Sequence, residues 1–223
     1  MTKLAIYDMD KTITHAPTWP AFLIETARRQ APWRLALLPL AGLASAAYAV
    51  KAIDRARLKQ ISQRLLLGHR MRDTDARRAA ERFADRVAAS GVFAGARAQI
   101  AADRAAGYRL VMATASYRFY ALAIADRLGF DDVIGTEVEL AGDRLRARIS
   151  GENCYGPAKL RMIEAWMAAN HIARAEADIR FYSDHVSDAP VLDWADEPFA
   201  VNAHGPLRTL ARARGWPIVD WEH

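Results

Sequence analysis

The chain has 223 residues, of which 52% are hydrophobic and 26% charged, and its formal net charge is +5. That balance belongs to a soluble globular protein long enough to bury a sizeable core. One cysteine, Cys154, excludes an internal disulfide and fits a reducing compartment. The basic residues are mostly arginines scattered singly or in pairs among alanines, as on a solvated helical face. A nucleic-acid partner would need a denser basic patch.

Leu4-Ala-Ile-Tyr7 is a short apolar run and reads as a buried strand of a parallel sheet. Asp8 follows too soon for Met1 onward to be a secretory leader, so the expected location is cytoplasmic. The run ends in Asp8-Met-Asp10-Lys-Thr12, with two carboxylates just beyond a strand's carboxyl end, where open α/β sheets bind ligands. Like charges held that close repel unless a cation or a shared proton neutralises them. A hard cation such as Mg2+ takes carboxylates of this kind together with a substrate phosphate. Taken alone, the same residues also describe a solvated acidic turn.

From about Trp19 to Ala89 the sequence is rich in alanine, leucine and arginine, and it reads as helical throughout. Pro32 can start a helix, Pro39 should kink or divide one, and Asp73-Thr74-Asp75 looks like an N-cap. Within this stretch the sixteen residues Leu35 to Val50 carry no charge. They fall short of the roughly 20 apolar residues that span a bilayer. Arg28, Arg29 and Arg34 precede them, and Lys51, Arg55 and Arg57 follow. Two readings stand: a buried helical pair, or a segment at a membrane interface with basic residues near anionic lipid.

After Ser90-Gly91 the pattern alternates. Helices are expected near Ala94–Ala106, Arg118–Leu128 and Pro157–Asn170, and strands at Tyr108–Ala113, Val133–Ile134, Ile179–Tyr182, Phe199–Val201 and Ile218–Val219. Glu137–Leu140 and Arg144–Ile149, joined by Ala141-Gly142-Asp143, read as a hairpin. Such alternation implies a parallel sheet with helices on both faces.

Three polar sites join the opening acids. Thr114 and Ser116 follow an apolar strand, where hydroxyls can meet a phosphate. Lys159 lies in the first turn of a helix, and Asp184 and Asp188 follow another strand. Singly, these are an N-cap, a surface lysine and an acidic loop. Together and in this order they resemble the four motifs of the haloacid dehalogenase superfamily: Asp8-x-Asp10-x-Thr12, then Thr114, Lys159, and Asp184 with Asp188. The helical insertion directly after the first motif is similar to the cap of the phosphoserine-phosphatase-like branch, subfamily IB.

The resemblance implies a Rossmann-like α/β core of three layers, formed by 1–14 and 90–223, and an inserted all-helical cap at 15–89. It implies a phosphatase using Mg2+, with Asp8 as nucleophile and Asp10 as general acid and base. The metal would be held by Asp8, Asp184 and the backbone carbonyl of Asp10. Thr114, Ser116 and Lys159 would bind phosphate, with Asp188 orienting a metal water or Lys159 from behind. The expected substrate is a small phosphorylated metabolite. Phosphoserine phosphatases place a glutamate nine residues beyond the nucleophile, and here that position is Pro17, which argues against phosphoserine. His185 and Ser187 stand where many of those enzymes carry Gly and Asn. A second reading takes the apolar stretch 35–50 as the cap of a phosphatidylglycerophosphate phosphatase touching a membrane. A non-catalytic binding protein on the same scaffold is the third.

Overall fold

The computed structural model describes residues 1–221. Its frame is an eight-stranded sheet in the order β2-β5-β4-β3-β1-β6-β7-β8. The strands are β1 (Thr2–Tyr7), β2 (Arg70–Arg72), β3 (Arg109–Tyr117), β4 (Asp132–Ala141), β5 (Arg144–Ser150), β6 (Ala177–Ser183), β7 (Glu197–Val201) and β8 (Ile218–Val219). From β4 across to β8 every neighbouring pair is parallel. β5 runs antiparallel to both β4 and β2. The expected hairpin forms across a two-residue turn, with Ala141 opposite Arg144 and Gly142 at φ +61°. That is backbone a glycine adopts without a Cβ clash.

Successive residues of β1 point to opposite faces of the sheet, which explains its apolar run. Ala5 and Tyr7 join one buried cluster with Phe22, Phe83, Tyr120 and Ile124. Leu4 and Ile6 join another with Ile163, Met167, Val191 and Leu207. Helices α4 (Asp73–Ser90), α5 (Ala94–Ala105) and α6 (Arg118–Leu128) cover the first face, and α7 (Pro157–Ala169), α8 (Ala189–Trp194) and α9 (Gly205–Arg214) the second. This is the three-layer α/β core expected.

Between β1 and β2 lie α1 (Thr18–Gln30), a 3-10 turn (Pro32–Leu37), α2 (Leu38–Ala49) and α3 (Arg55–Leu66). Pro39 divides the segment as anticipated: the 3-10 turn ends at Leu37, and α2 starts with the proline in its first turn. Two details differ from the sequence reading. The stretch expected to be wholly helical contains β2, which extends the sheet edge past β5. The N-cap of α4 is Arg72, without a side-chain cap, and Asp73 and Asp75 sit in its first turn, where acids favour the positive end of the helix dipole.

Candidate active site

The three central strands β3, β1 and β6 end side by side, so the residues after them share one rim. Asp8 follows β1, Thr114 lies near the end of β3, and Asp184 follows β6. The first turn of α7 brings Lys159 to the same place. These residues, with Asp10, Lys11, Pro17, Arg55, Tyr155 and Asp188, line a cavity of about 290 Å³.

Lys159 is 2% exposed and lies between two acids, with Nζ 2.8 Å from Asp8 Oδ1 and 2.5 Å from Asp188 Oδ2. Burial works against its charge, but Asp188 and Asp8 outweigh that and hold the ammonium above the usual lysine range. Asp188 Oδ2 also accepts from Ser183 Oγ at 2.7 Å. The hydroxyl of Thr12 bridges the other acids, 3.4 Å from Asp8 Oδ2 and 3.2 Å from Asp184 Oδ1, while it accepts from Asp184 N at 2.9 Å. Lys11, between the two acids of the first motif and Thr12, has φ 63°, and Asn202 Nδ2 donates to its carbonyl at 3.2 Å. The turn that follows Asp10 is thus a strained one held from outside.

Burial, with Asp188 and Asp184 nearby, pushes Asp8 up to about 7 despite Lys159. Burial also raises Asp184. One lysine therefore does not balance the cluster, and a further cation fits. The donor chemistry agrees with Mg2+: Asp8 and Asp184 both face the cavity, and Asp188 Oδ1 is buried without a hydrogen-bond partner. Hard cations of this size use one or two carboxylates and keep several waters. Among the described residues no cluster of three or more His, Cys, Asp and Glu side chains is arranged to hold an ion, so the donors remaining are backbone carbonyls and water.

Asp10 is positioned differently. Its Oδ1 accepts from both the backbone N and the hydroxyl of Thr18, each at 2.7 Å, and its Oδ2 accepts from Ser116 Oγ at 3.0 Å. Ser116 in turn accepts from Tyr120 OH at 2.5 Å. Asp10 thereby caps the first residue of α1. Its side chain is engaged in this way while the residue still lines the cavity. Ser116, expected at the phosphate, donates its hydroxyl to Asp10, and its backbone N donates to Thr114 Oγ1 at 3.1 Å. Thr114 lines the cavity and Ser116 does not. Pro17 lines it where a glutamate would stand, and it brings no charge.

A family model, haloacid dehalogenase-like hydrolase, matches residues 5–193. The chain belongs to that family. It is 30% identical over 143 residues to a phosphoserine phosphatase of Mycobacterium tuberculosis, covering 63% of this chain and 45% of the relative. To a histidinol-phosphatase of Neisseria meningitidis it is 26% identical over 119 residues, covering 52% and 54%. The chain spans about half the length of these curated relatives. A crystal structure of a Bordetella pertussis protein of unknown function superposes with TM-score 0.89 and 26% identity over 99% of both chains.

Several residues at this haloacid dehalogenase-like site were not singled out from the sequence. Thr18 holds Asp10 directly, and Tyr120 supports it through Thr18 and Ser116. Thr12, the last residue of the first motif, joins Asp8 to Asp184. The least expected is Lys59 of α3, which is 6% exposed. Its ammonium donates to the carbonyl of Ala115, to Thr136 Oγ1 at 3.2 Å and to Asn153 Oδ1 at 2.6 Å. It thus ties the insertion to the segment that carries Thr114 and Ser116. Burial, with Arg55 nearby, pulls Lys59 down to about 7. In sequence it was one of several basic residues on a helix, with no pattern to mark it.

Proposed function

We propose that this chain is a Mg2+-dependent phosphatase of a small phosphomonoester, working through an aspartyl-phosphate on Asp8. The observation that carries the reading is the split between the two acids of the first motif. Both line the cavity, but Asp8 lies against Lys159, whereas Asp10 is held from behind by Thr18 and Ser116. An ionised Asp8 attacks phosphorus without a general base, dividing one difficult displacement into two. Asp10 gives a proton to the leaving oxygen and then takes one from the water that hydrolyses the aspartyl-phosphate. Thr114 donates to a phosphoryl oxygen, and Lys159 offsets charge developing on the phosphoryl group. Mg2+, when held by Asp8, Asp184 and the carbonyl of Asp10, supplies electrostatic relief between phosphate and nucleophile. Membership of the family and the phosphatase names of two relatives support this reading.

The leaving group would enter past Pro17, Arg55 and Tyr155. Pro17 offers nothing to an ammonium, which supports a substrate other than phosphoserine. Arg55 stacks on Tyr155 at 4.6 Å and has no carboxylate within ion-pair distance among the described residues. A leaving group with its own polar or acidic oxygen suits that cation. A lipid phosphate is the second reading, favoured by Tyr48 and Lys51, which flank Arg55 in the groove next to the cavity. A screen of amino-acid, sugar, nucleotide and lipid phosphates with Mg2+, using Asp8→Asn as the blank, tests both. Turnover confined to soluble phosphates would remove the lipid reading, and turnover surviving in Asp8→Asn would remove the mechanism.

A further inference from the structure

A water-facing helix ordinarily keeps its apolar residues to one stripe. α2 does not. Of its twelve residues only Ala44 is buried. Leu40 is 50% exposed and Leu43 67%, while Val50 just beyond the helix is 76% exposed and Trp33 just before it 65%. Its two polar side chains are Ser45 and Tyr48, and Ser45 Oγ donates to the carbonyl of Ala41 at 3.0 Å, leaving no free hydroxyl proton on that side. α2 packs on α3, so one side is supported and the remainder projects outward.

The charges that flank this surface in the sequence are mostly basic, with Asp54 beside Lys51 and Arg55 in the neighbouring groove. No acidic residue occurs between Glu25 and Asp54, and Arg28, Lys51 and Arg57, which flank the apolar stretch in sequence, are exposed. Arg34 donates to the carbonyl of Leu65 at 2.9 Å and lies 4.6 Å from the Trp33 ring centroid, which fixes the indole at the edge of the patch. Two copies of this chain meeting through α2 would bring these cations together. A surface that is apolar at depth and anionic at the level of the cations complements them. Tryptophan is also the side chain that favours a membrane–water boundary.

We infer that α2, with Trp33 and Val50 at its ends, is a docking surface for an anionic phospholipid bilayer, lying in the plane of the interface. A helix of twelve residues is about 18 Å long, too short for a hydrocarbon core of about 30 Å. Among the described residues no helix is long and apolar enough to cross a membrane. The surface does not depend on the phosphatase reading. It has a consequence for it, since Tyr48 and Lys51 share a groove with Arg55 and Tyr155 of the cavity. Docking through α2 holds that mouth at the level of the headgroups.

Co-sedimentation of the full chain with vesicles tests the inference without any substrate. The expected result is partition onto phosphatidylcholine vesicles containing phosphatidylglycerol, weak partition onto phosphatidylcholine alone, and loss of binding as salt is raised. Leu40→Glu/Leu43→Glu should reduce binding about tenfold or more, and Arg28→Glu should weaken it less, because apolar burial and charge act together. Both variants should keep the wild-type melting temperature and the wild-type turnover of a soluble phosphomonoester. No partition by the wild-type chain, or equal partition by Leu40→Glu/Leu43→Glu, would overturn the inference. So would a dimer in sedimentation equilibrium that the same double variant dissolves, which would assign the surface to a second copy.

Discussion

At the scale of single residues, the site separates side chains that line the cavity from those that hold Asp10. Ser116 belongs to the second group. Ser116→Ala removes a hydrogen bond to a carboxylate, worth about 1.5–3 kcal/mol, and should lower kcat about tenfold or more with little change in KM. Inhibition by inorganic phosphate should stay as in the wild type, and a weakened phosphate inhibition would return Ser116 to the phosphate. Lys159→Met leaves Asp8 and Asp188 buried without a counter-charge, a loss of about 3–5 kcal/mol in stability for a broken buried pair. Chemical denaturation checks it, and turnover should be abolished. Lys59 gives a pH prediction. Its folded value is about 7, below the ordinary lysine value near 10.4. Between those values the unfolded chain binds more protons, so this group makes stability rise with pH across that window. Lys59→Met should show a smaller rise in urea midpoint from pH 7 to pH 9 than the wild type, and an equal rise would contradict the lowered value of the buried amine. The motif residues were legible because each follows an apolar strand or opens a helix. Their partners were not: Thr18, Tyr120 and Lys59 come from helices whose approach to the strand ends is a tertiary fact, with no spacing to announce it.

At the scale of elements, the clear signals were long or punctuated. α6 runs from Arg118 to Leu128 as read from the sequence, and Pro157 opens α7. β2 escaped notice because Arg70-Met71-Arg72 has one buried side chain between two exposed ones, too little to register as a strand. It forms by adding to the free edge of β5, whose pairing no local pattern encodes. α8, six residues long, was likewise below what periodicity can detect. Packing also leaves a glycine its role. A Cβ on Gly95 of α5 would meet the Trp221 indole at 2.8–2.9 Å. Gly95→Ala should therefore destabilise the protein by about 1–3 kcal/mol through overpacking, although alanine is the better helix former. A thermal melt equal to or above the wild type would show that the indole moves aside.

At the scale of the whole molecule, the inserted helices are bound to the core at points that matter chemically. Asp10 caps α1, and Lys59 of α3 holds the Ala115 carbonyl next to Thr114. Gln63 of α3 donates to the carbonyl of Arg146 in β5 at 3.3 Å. Asp10 and the segment carrying Thr114 are therefore both attached to these helices, and we propose that the helices between β1 and β2 act as a cap whose closure completes the site. The sequence reading set the boundary of the insertion at Ser90-Gly91, but α4, just before it, packs on the face of the core beside α6, and the contacts joining the inserted helices to the core were not readable. All of this rests on Asp8 forming a bond to phosphorus. The most direct test is acid quench of the Mg2+-loaded protein during turnover of a phosphomonoester, followed by mass spectrometry of the peptide that carries Asp8. The expected result is a hydroxylamine-labile phosphoryl adduct on Asp8 that is absent from Asp8→Asn and from protein treated with EDTA. Turnover without any adduct, or with the adduct on another residue, would contradict it.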